Sequence, residues 1–247
     1  MNFFGILAQP LGWILTWLYD LIGNYGIAIV VLTIVVKLFL YPFYKKQIMS
    51  TTGMSDMQPK MQAIQRKYAN DKETMNQKVA ELYKEEGVNP MAGCLPMIVQ
   101  MIIIMGLFTL LRYPLNYVAT ERMYIAVHES FFWIPDLAQP DPWILPILSG
   151  VATFISFYMS SMNGGMPGQT GNSSAAMMNV MKYGFPIMII WLAKTYAAGL
   201  ATYWFISQFI QIFYNIRFNQ LRKKAAEEKK NKNMKKKKKV VRTVGGN

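Results

Sequence analysis

A lysine stands in the middle of an apolar run. Lys37 lies in the segment from Tyr25 to Phe43, with Thr33 its main polar companion. An ionised lysine at mid-helix costs about 2.5–3.5 kcal/mol in a bilayer, so such residues face a wet cavity or a partner. Thr33 is one turn earlier and shares the Lys37 face. Gln100 lies in a second apolar run, and Gln208, Gln211 and Asn215 recur at i, i+3 and i+7 on the last one. No acidic residue falls inside any of these runs. Polar side chains on three helices would then line one hydrated recess around a cation. Such a recess, entered from the cytoplasm, attracts acidic residues and lowers the desolvation cost of carrying them across. Two plainer readings stand beside it. Lys37 precedes Lys45 by about 12 Å of helix, within reach of snorkelling to the headgroups. The glutamines alone could be interhelical hydrogen bonds worth about 1 kcal/mol or less.

Other chemistry is poorly provided for. Cys94 is the single cysteine and His128 the single histidine, which excludes an intramolecular disulfide and argues against a zinc site within one chain. No glycine-rich phosphate loop or nucleophile motif occurs. The expectation is a protein that is not an enzyme and carries no cofactor.

The elements that position the polar residues follow from hydropathy. The chain is 53% hydrophobic and 16% charged, with mean hydropathy +0.17, and its charges avoid the long apolar runs. Runs of about 18 or more apolar residues span a bilayer as helices. Residues 1–23 lack Lys and Arg, and Pro10 opens a helical pattern with Trp13, Trp17 and Tyr19 suited to the headgroup zone. The reading is an interfacial helix on the outer face, with an uncleaved apolar leader as the alternative. Residues 24–44 form a first span ended by Pro42, and residues 45–92 a cytoplasmic hairpin of two amphipathic helices. Spans at 93–112, 142–162, 178–194 and 199–218 follow. The loop 113–141 lies outside, and 163–177 is a polar cytoplasmic loop. Residues 219–247 form a basic cytoplasmic tail. The fold class is therefore all-α: a polytopic membrane protein with five transmembrane helices.

The hairpin carries eight basic residues and the tail from Arg217 thirteen, against two Glu in that tail and a net charge of +13 for the chain. The positive-inside rule puts both in the cytoplasm and the N-terminus outside. The tail residues Arg222, Lys223 and Lys224, with the run Lys235, Lys236, Lys237, Lys238 and Lys239, read as a block that is disordered when free and attracts polyanions. Ribosomal RNA phosphates and anionic lipid headgroups both fit, and a plain topology anchor is the simpler reading. Met54, Met57 and Met61 make a stripe on the hairpin that reads first as a helix seam and second as a contact surface for apolar clients.

Several strings, in order, resemble the YidC/Oxa family of membrane protein insertases. They are Val36-Lys37-Leu38-Phe39-Leu40-Tyr41-Pro42, Met57-Gln58-Pro59-Lys60-Met61, Asn89-Pro90-Met91-Ala92-Gly93-Cys94-Leu95-Pro96 with Gln100-Met101, and Gly199-Leu200-Ala201-Thr202-Tyr203-Trp204. The resemblance covers about residues 10–222. It implies a five-helix core whose groove opens to cytoplasm and lipid but is closed outside, and a cytoplasmic hairpin needed for activity. Lys37 stands where the family has a groove arginine, keeping the charge but losing the fork. Thr33, Gln100, Met101, Tyr203 and Trp204 match groove-lining positions. The implied partners are nascent membrane proteins, the ribosome through the tail, the lipid bilayer and a Sec translocon. The sequence shows no large outer domain, lipoprotein-type cysteine or transit peptide, which points to a bacterial plasma membrane. The competing functions are a small-anion transporter or channel, and a scaffold that tethers ribosomes.

Overall fold

The computed structural model describes residues 3–50, 52–87, 95–117, 121–162 and 180–244. Among them the structure is helical, with no strand; Phe131 and Ile134 make an isolated bridge. Helix α1 (Phe3–Ile22) begins ahead of Pro10, so the expected start at that proline is not found. Ala8, Leu11, Leu15 and Leu18 form one buried stripe that joins the main core with Leu107 and Leu110. This packing holds the helix on both sides of the proline, which itself lies on the exposed face. Gly23, at φ +71°, then turns the chain into α2 (Tyr25–Ser50) through the left-handed region that glycine enters without penalty.

Pro42 does not end α2. Its missing N–H removes one backbone bond, but aromatic packing carries the helix past it. The Tyr41 ring stacks on Phe218 at 5.8 Å and meets Tyr214 edge-on at 5.3 Å, and Tyr44 is buried in the same cluster. Helices α3 (Thr52–Lys67) and α4 (Lys72–Glu85) make a hairpin. Asp71 caps α4 by accepting from the Thr74 N–H at 3.0 Å. Met57, Met61 and Leu82 are buried together between the two helices, and Lys60 pairs with Glu86 across them. Met54 falls on α3, but its side chain lies outside the described residues.

Helix α5 (Leu95–Arg112) is followed by two short helices, α6 (Pro114–Tyr117) and α7 (Glu121–Ala126). Asp141 then opens α8 (Ile144–Met162), accepting from the N–H groups of Trp143 at 2.9 Å and Leu145 at 3.3 Å. Residues 163–177, read as a loop, lie outside the described residues. A π-turn at Val180–Gly184 leads into α9 (Phe185–Thr195). Gly150 lets α8 and α9 approach: a Cβ there would sit 2.4 Å from Ile190 Cγ1. Last comes α10 (Ala198–Val244), 47 residues in one helix. The tail expected to be disordered is thus helical through residue 244. Its Ala-, Glu- and Lys-rich composition favours helix, and continuity with a packed span removes the nucleation cost. The whole element is about 70 Å long.

Among the described residues, two helices are long and apolar enough to cross a membrane, Tyr25–Lys45 and Ile144–Ser161; Met101–Arg112 is a shorter apolar stretch. Contacts along the bundle fix directions. A Cβ on Gly199 would lie 3.3 Å from Ile29 Cδ1, and twelve residues further Gln211 meets Lys37. Ser149 reaches Ala201, and Thr153 reaches Trp204. Helices α2, α8 and α10 therefore run parallel, with α10 between the other two.

Candidate functional site

Lys37 is 4% exposed. Its ammonium donates to Gln211 Oε1 at 3.3 Å and lies 5.8 Å from the centre of the Tyr44 ring. Gln211 Nε2 passes a long bond of 3.4 Å to Asn215 Oδ1, and Asn215 Nδ2 donates to the Ser156 carbonyl at 3.0 Å. One chain of dipoles thus runs from the cation on α2, across α10, to α8. The Tyr214 hydroxyl donates to the Lys37 carbonyl at 2.9 Å, tying α10 to α2 at the same level. Amide oxygens solvate an ammonium less well than a carboxylate would, because hydrogen bonds between two charged groups are roughly twice as strong. One of the groups that hold the cation is thus a neutral amide.

A second layer lies nearer the start of α8. Ser149, Thr153 and Ser156 are all buried. Thr153 Oγ1 accepts from the Trp204 indole at 2.9 Å and donates to the Ser149 carbonyl at 2.6 Å. The Ser149 hydroxyl points at the Ala201 carbonyl at 3.4 Å. On α10, Thr202 and Ser207 are buried as well. A polar seam therefore follows the junction of α8 and α10 for several turns and ends at Lys37.

The residues singled out by sequence divide. Lys37, Gln211 and Asn215 meet. Thr33 is 1% exposed, but its hydroxyl bonds back to the Ile29 carbonyl at 2.7 Å, leaving it a helix-satisfied group. Gln208 is half-buried and makes no hydrogen bond among the described residues. Gln100 sits on α5, but its side chain lies outside the described residues, and Met101 is exposed. Tyr203 is buried in the main core, and Trp204 packs near Phe185 of α9 with ring centres 6.1 Å apart. Lys223 and Lys224 are exposed; the side chains of Arg222 and of Lys235, Lys236, Lys237, Lys238 and Lys239 lie outside the described residues, on a helical backbone. The seam residues of α8 were missed. Their i, i+4, i+7 spacing inside an apolar run was the available signal.

Protein covers Lys37 here, where an open recess was expected. Beside it lies an apolar surface: Leu38 is 62% and Phe39 82% exposed on the outward side of α2. The segment 127–141 packs against the opposite end of the bundle. Glu129 accepts from the Tyr19 hydroxyl at 2.5 Å and the Tyr25 N–H at 2.7 Å, while the Ala198 and Gly199 N–H groups donate to the Gln139 and Leu137 carbonyls. The hydrogen bond to Glu129 raises the Tyr19 pKa. A cavity of about 750 Å³ lies at this end, reaching from Arg112 to Tyr196. It is distant from Lys37, which stands about 18 Å along α2 from Tyr25.

A helical membrane protein with parallel helices packed around a buried cation is the class these features define. Residues 17–230 match the family described as 60Kd inner membrane protein. The chain is 37% identical over 210 residues to a protein of Fusobacterium nucleatum named membrane protein insertase YidC, covering 85% of this chain and 93% of that one. It is 36% identical to membrane protein insertase YidC 2 of Listeria innocua, covering 86% of this chain and 70% of the relative. Against YidC of Haemophilus influenzae it is 37% identical, covering 83% of this chain but 35% of the relative. A crystal structure described as an active YidC insertase superposes with TM-score 0.60 at 29% identity, covering 87% of this chain and 46% of the solved one. This chain belongs to the 60Kd inner membrane protein family, the family of the YidC insertases.

Proposed function

We propose that this chain is a membrane protein insertase that draws short acidic or polar tails of nascent membrane proteins toward Lys37. The observation that carries the proposal is a buried ammonium hydrogen-bonded to the Gln211 amide, beside an exposed apolar strip on the same helix. A client carboxylate arriving from the cytoplasm replaces the Gln211 amide and pairs with the ammonium. The apolar helix of the client meanwhile lies against Leu38 and Phe39. The polar seam above Lys37 supplies hydroxyls and amides to the tail, lowering the cost of unsatisfied polar groups in hydrocarbon. Water enters the seam when Gln211 is displaced.

The placement that goes with this function has five spans, built on α2, α5, α8, α9 and α10, with α1 along the outer surface. The parallel run of α2, α8 and α10 fits spans one, three and five. The N-terminus lies outside, and the hairpin and the C-terminal end of α10 lie in the cytoplasm. The helical extension of α10 carries its basic residues away from the membrane, where they meet ribosomal RNA phosphates; anionic lipid is the competing partner. A Sec translocon is a further partner. A small-anion channel needs a path open at both ends; the segment 127–141, hydrogen-bonded to α1, α2 and α10 at one end, supports the insertase reading over it.

The test is integration of a small single-span client with an acidic N-terminal tail into liposomes holding the purified chain. Integration above that of empty liposomes, retained in Lys37→Arg, is expected. Integration no better than empty liposomes, by a correctly folded protein, refutes the proposal.

A further inference from the structure

The cavity at the outer end lies where α5 and α9 finish and α2 begins, away from the Lys37 site. Its wall includes Arg112, Phe108, Tyr113, Asn116, His128 and Tyr196. The Arg112 guanidinium carbon sits 5.5 Å from the Phe108 ring centre, 5.4 Å from that of Tyr113 and 5.7 Å from that of Tyr196. Aromatic faces hold a guanidinium by its flat side and leave its N–H edge free for a planar fork of hydrogen bonds. No carboxylate pairs with Arg112 among the described residues. The nearby acids are engaged elsewhere: Glu129 with Tyr19 and Tyr25, Asp136 with His128 and the Ala138 N–H, and Asp141 with Trp133 and the start of α8.

A cation at a helix C-terminus is ordinary, and Arg112 occupies the last turn of α5. That role needs neither a cavity nor three aromatic walls. Nearby, Lys194 lies 3.5 Å over the Trp143 ring, so this level carries the aromatic and cationic residues of a membrane interface. On the membrane placement proposed above, the geometry points to a binding site for one phospholipid of the outer leaflet, its phosphate on the Arg112 fork and its glycerol and upper acyl chain in the aromatic-walled cavity. The phosphate supplies the missing anion, and the apolar walls suit a lipid better than a free ion.

The experiment is native mass spectrometry of the full chain in detergent, titrated with dioleoylphosphatidylglycerol. The wild type is expected to hold one lipid selectively. Arg112→Gln should weaken that lipid about tenfold or more, the loss of a charged bidentate contact, and Arg112→Lys should fall between them. Arg122→Gln, which removes an exposed cation of the same outer segment, should leave binding unchanged. Glycerol 3-phosphate and inorganic phosphate, added in excess, should fail to displace the lipid. Equal binding by wild type and both Arg112 variants overturns the site, as does an equal loss in Arg122→Gln. Displacement by glycerol 3-phosphate or phosphate overturns the lipid assignment in favour of a free anion. If Arg112→Gln does not fold, Arg112→Lys carries the comparison alone.

Discussion

Replacing Lys37 by methionine keeps the length of the side chain and removes the charge, and the structure gives the change two opposite signs. For the folded protein, burying an ammonium at mid-helix costs about 2.5–3.5 kcal/mol. Its hydrogen bond to Gln211 returns about 1.5–3 kcal/mol. The two nearly cancel, and replacing a buried ionic group by an apolar one of like volume is often neutral or stabilising. Lys37→Met should therefore unfold at the same denaturant concentration as the wild type or a higher one, by up to about 2 kcal/mol. For a client, a carboxylate at the bilayer centre costs about 2.5–3.5 kcal/mol. An ammonium about 4 Å away, at an effective dielectric near 20, returns about 4 kcal/mol before Gln211 is released. Releasing Gln211 costs about 1.5–3 kcal/mol, which leaves about 1–2.5 kcal/mol for the first acidic residue, so integration of an acidic-tailed client should slow about fivefold to seventyfold. A client with a neutral tail should be nearly unaffected. The assay pairs mixed-micelle unfolding with liposome integration of both clients. An equal slowing of both clients, or a large loss of stability, would refute the electrostatic reasoning and make Lys37 a structural residue.

Asp141→Ala removes the cap of α8 and the partner of the Trp133 indole; a loss of about 1–2 kcal/mol is expected in micelle unfolding, with Asp141→Asn retaining most of it. Glu129→Gln weakens the joint between α1 and α2 and should cost about 1.5–3 kcal/mol in the same measurement. The same joint has a pH signature. The Tyr19 pKa is raised by its hydrogen bond to Glu129, so the stability it contributes is present below the ordinary tyrosine value near 10 and lost as pH rises beyond it. Unfolding scans above pH 10 should show that loss in the wild type and not in Tyr19→Phe. At the hairpin, hydrogen bonds from Thr74 hold the Asp71 carboxyl below its usual range. Protection of the Thr74 amide from exchange should persist above about pH 4 and fall away below it.

The sequence made the membrane class and the special residue legible because both are written in composition. A lysine inside an apolar run is expensive wherever the helix lies, so Lys37 stood out without any packing information. The i, i+3, i+7 stripe of Gln208, Gln211 and Asn215 placed the right face of α10, yet only Gln211 and Asn215 join the Lys37 network. Which member of a stripe is in reach depends on the axial level of the neighbouring helix, and hydropathy carries no such information. Ser149, Thr153 and Ser156 were overlooked because small hydroxyls barely lower the hydropathy of a span. Prolines misled twice. Pro10 and Pro42 each weaken one backbone bond, but the burial of Leu11 and Leu15 around the first and Tyr41 and Tyr44 around the second outweighs it. The length of α10 was likewise hidden: a charge block reads as repulsive, whereas attachment to a packed helix supplies the nucleus that a free segment lacks.

The central claim is that the client tail enters between α2 and α10 at Lys37. With Cys94 replaced by alanine, a cysteine at Gln211 and, separately, one at Phe39 can be oxidised against a cysteine in the client tail while integration is under way. A disulfide forming with position 211, and fading when the tail acids of the client are neutralised, is the predicted result. A tail that joins only position 39, on the exposed side of α2, would contradict it.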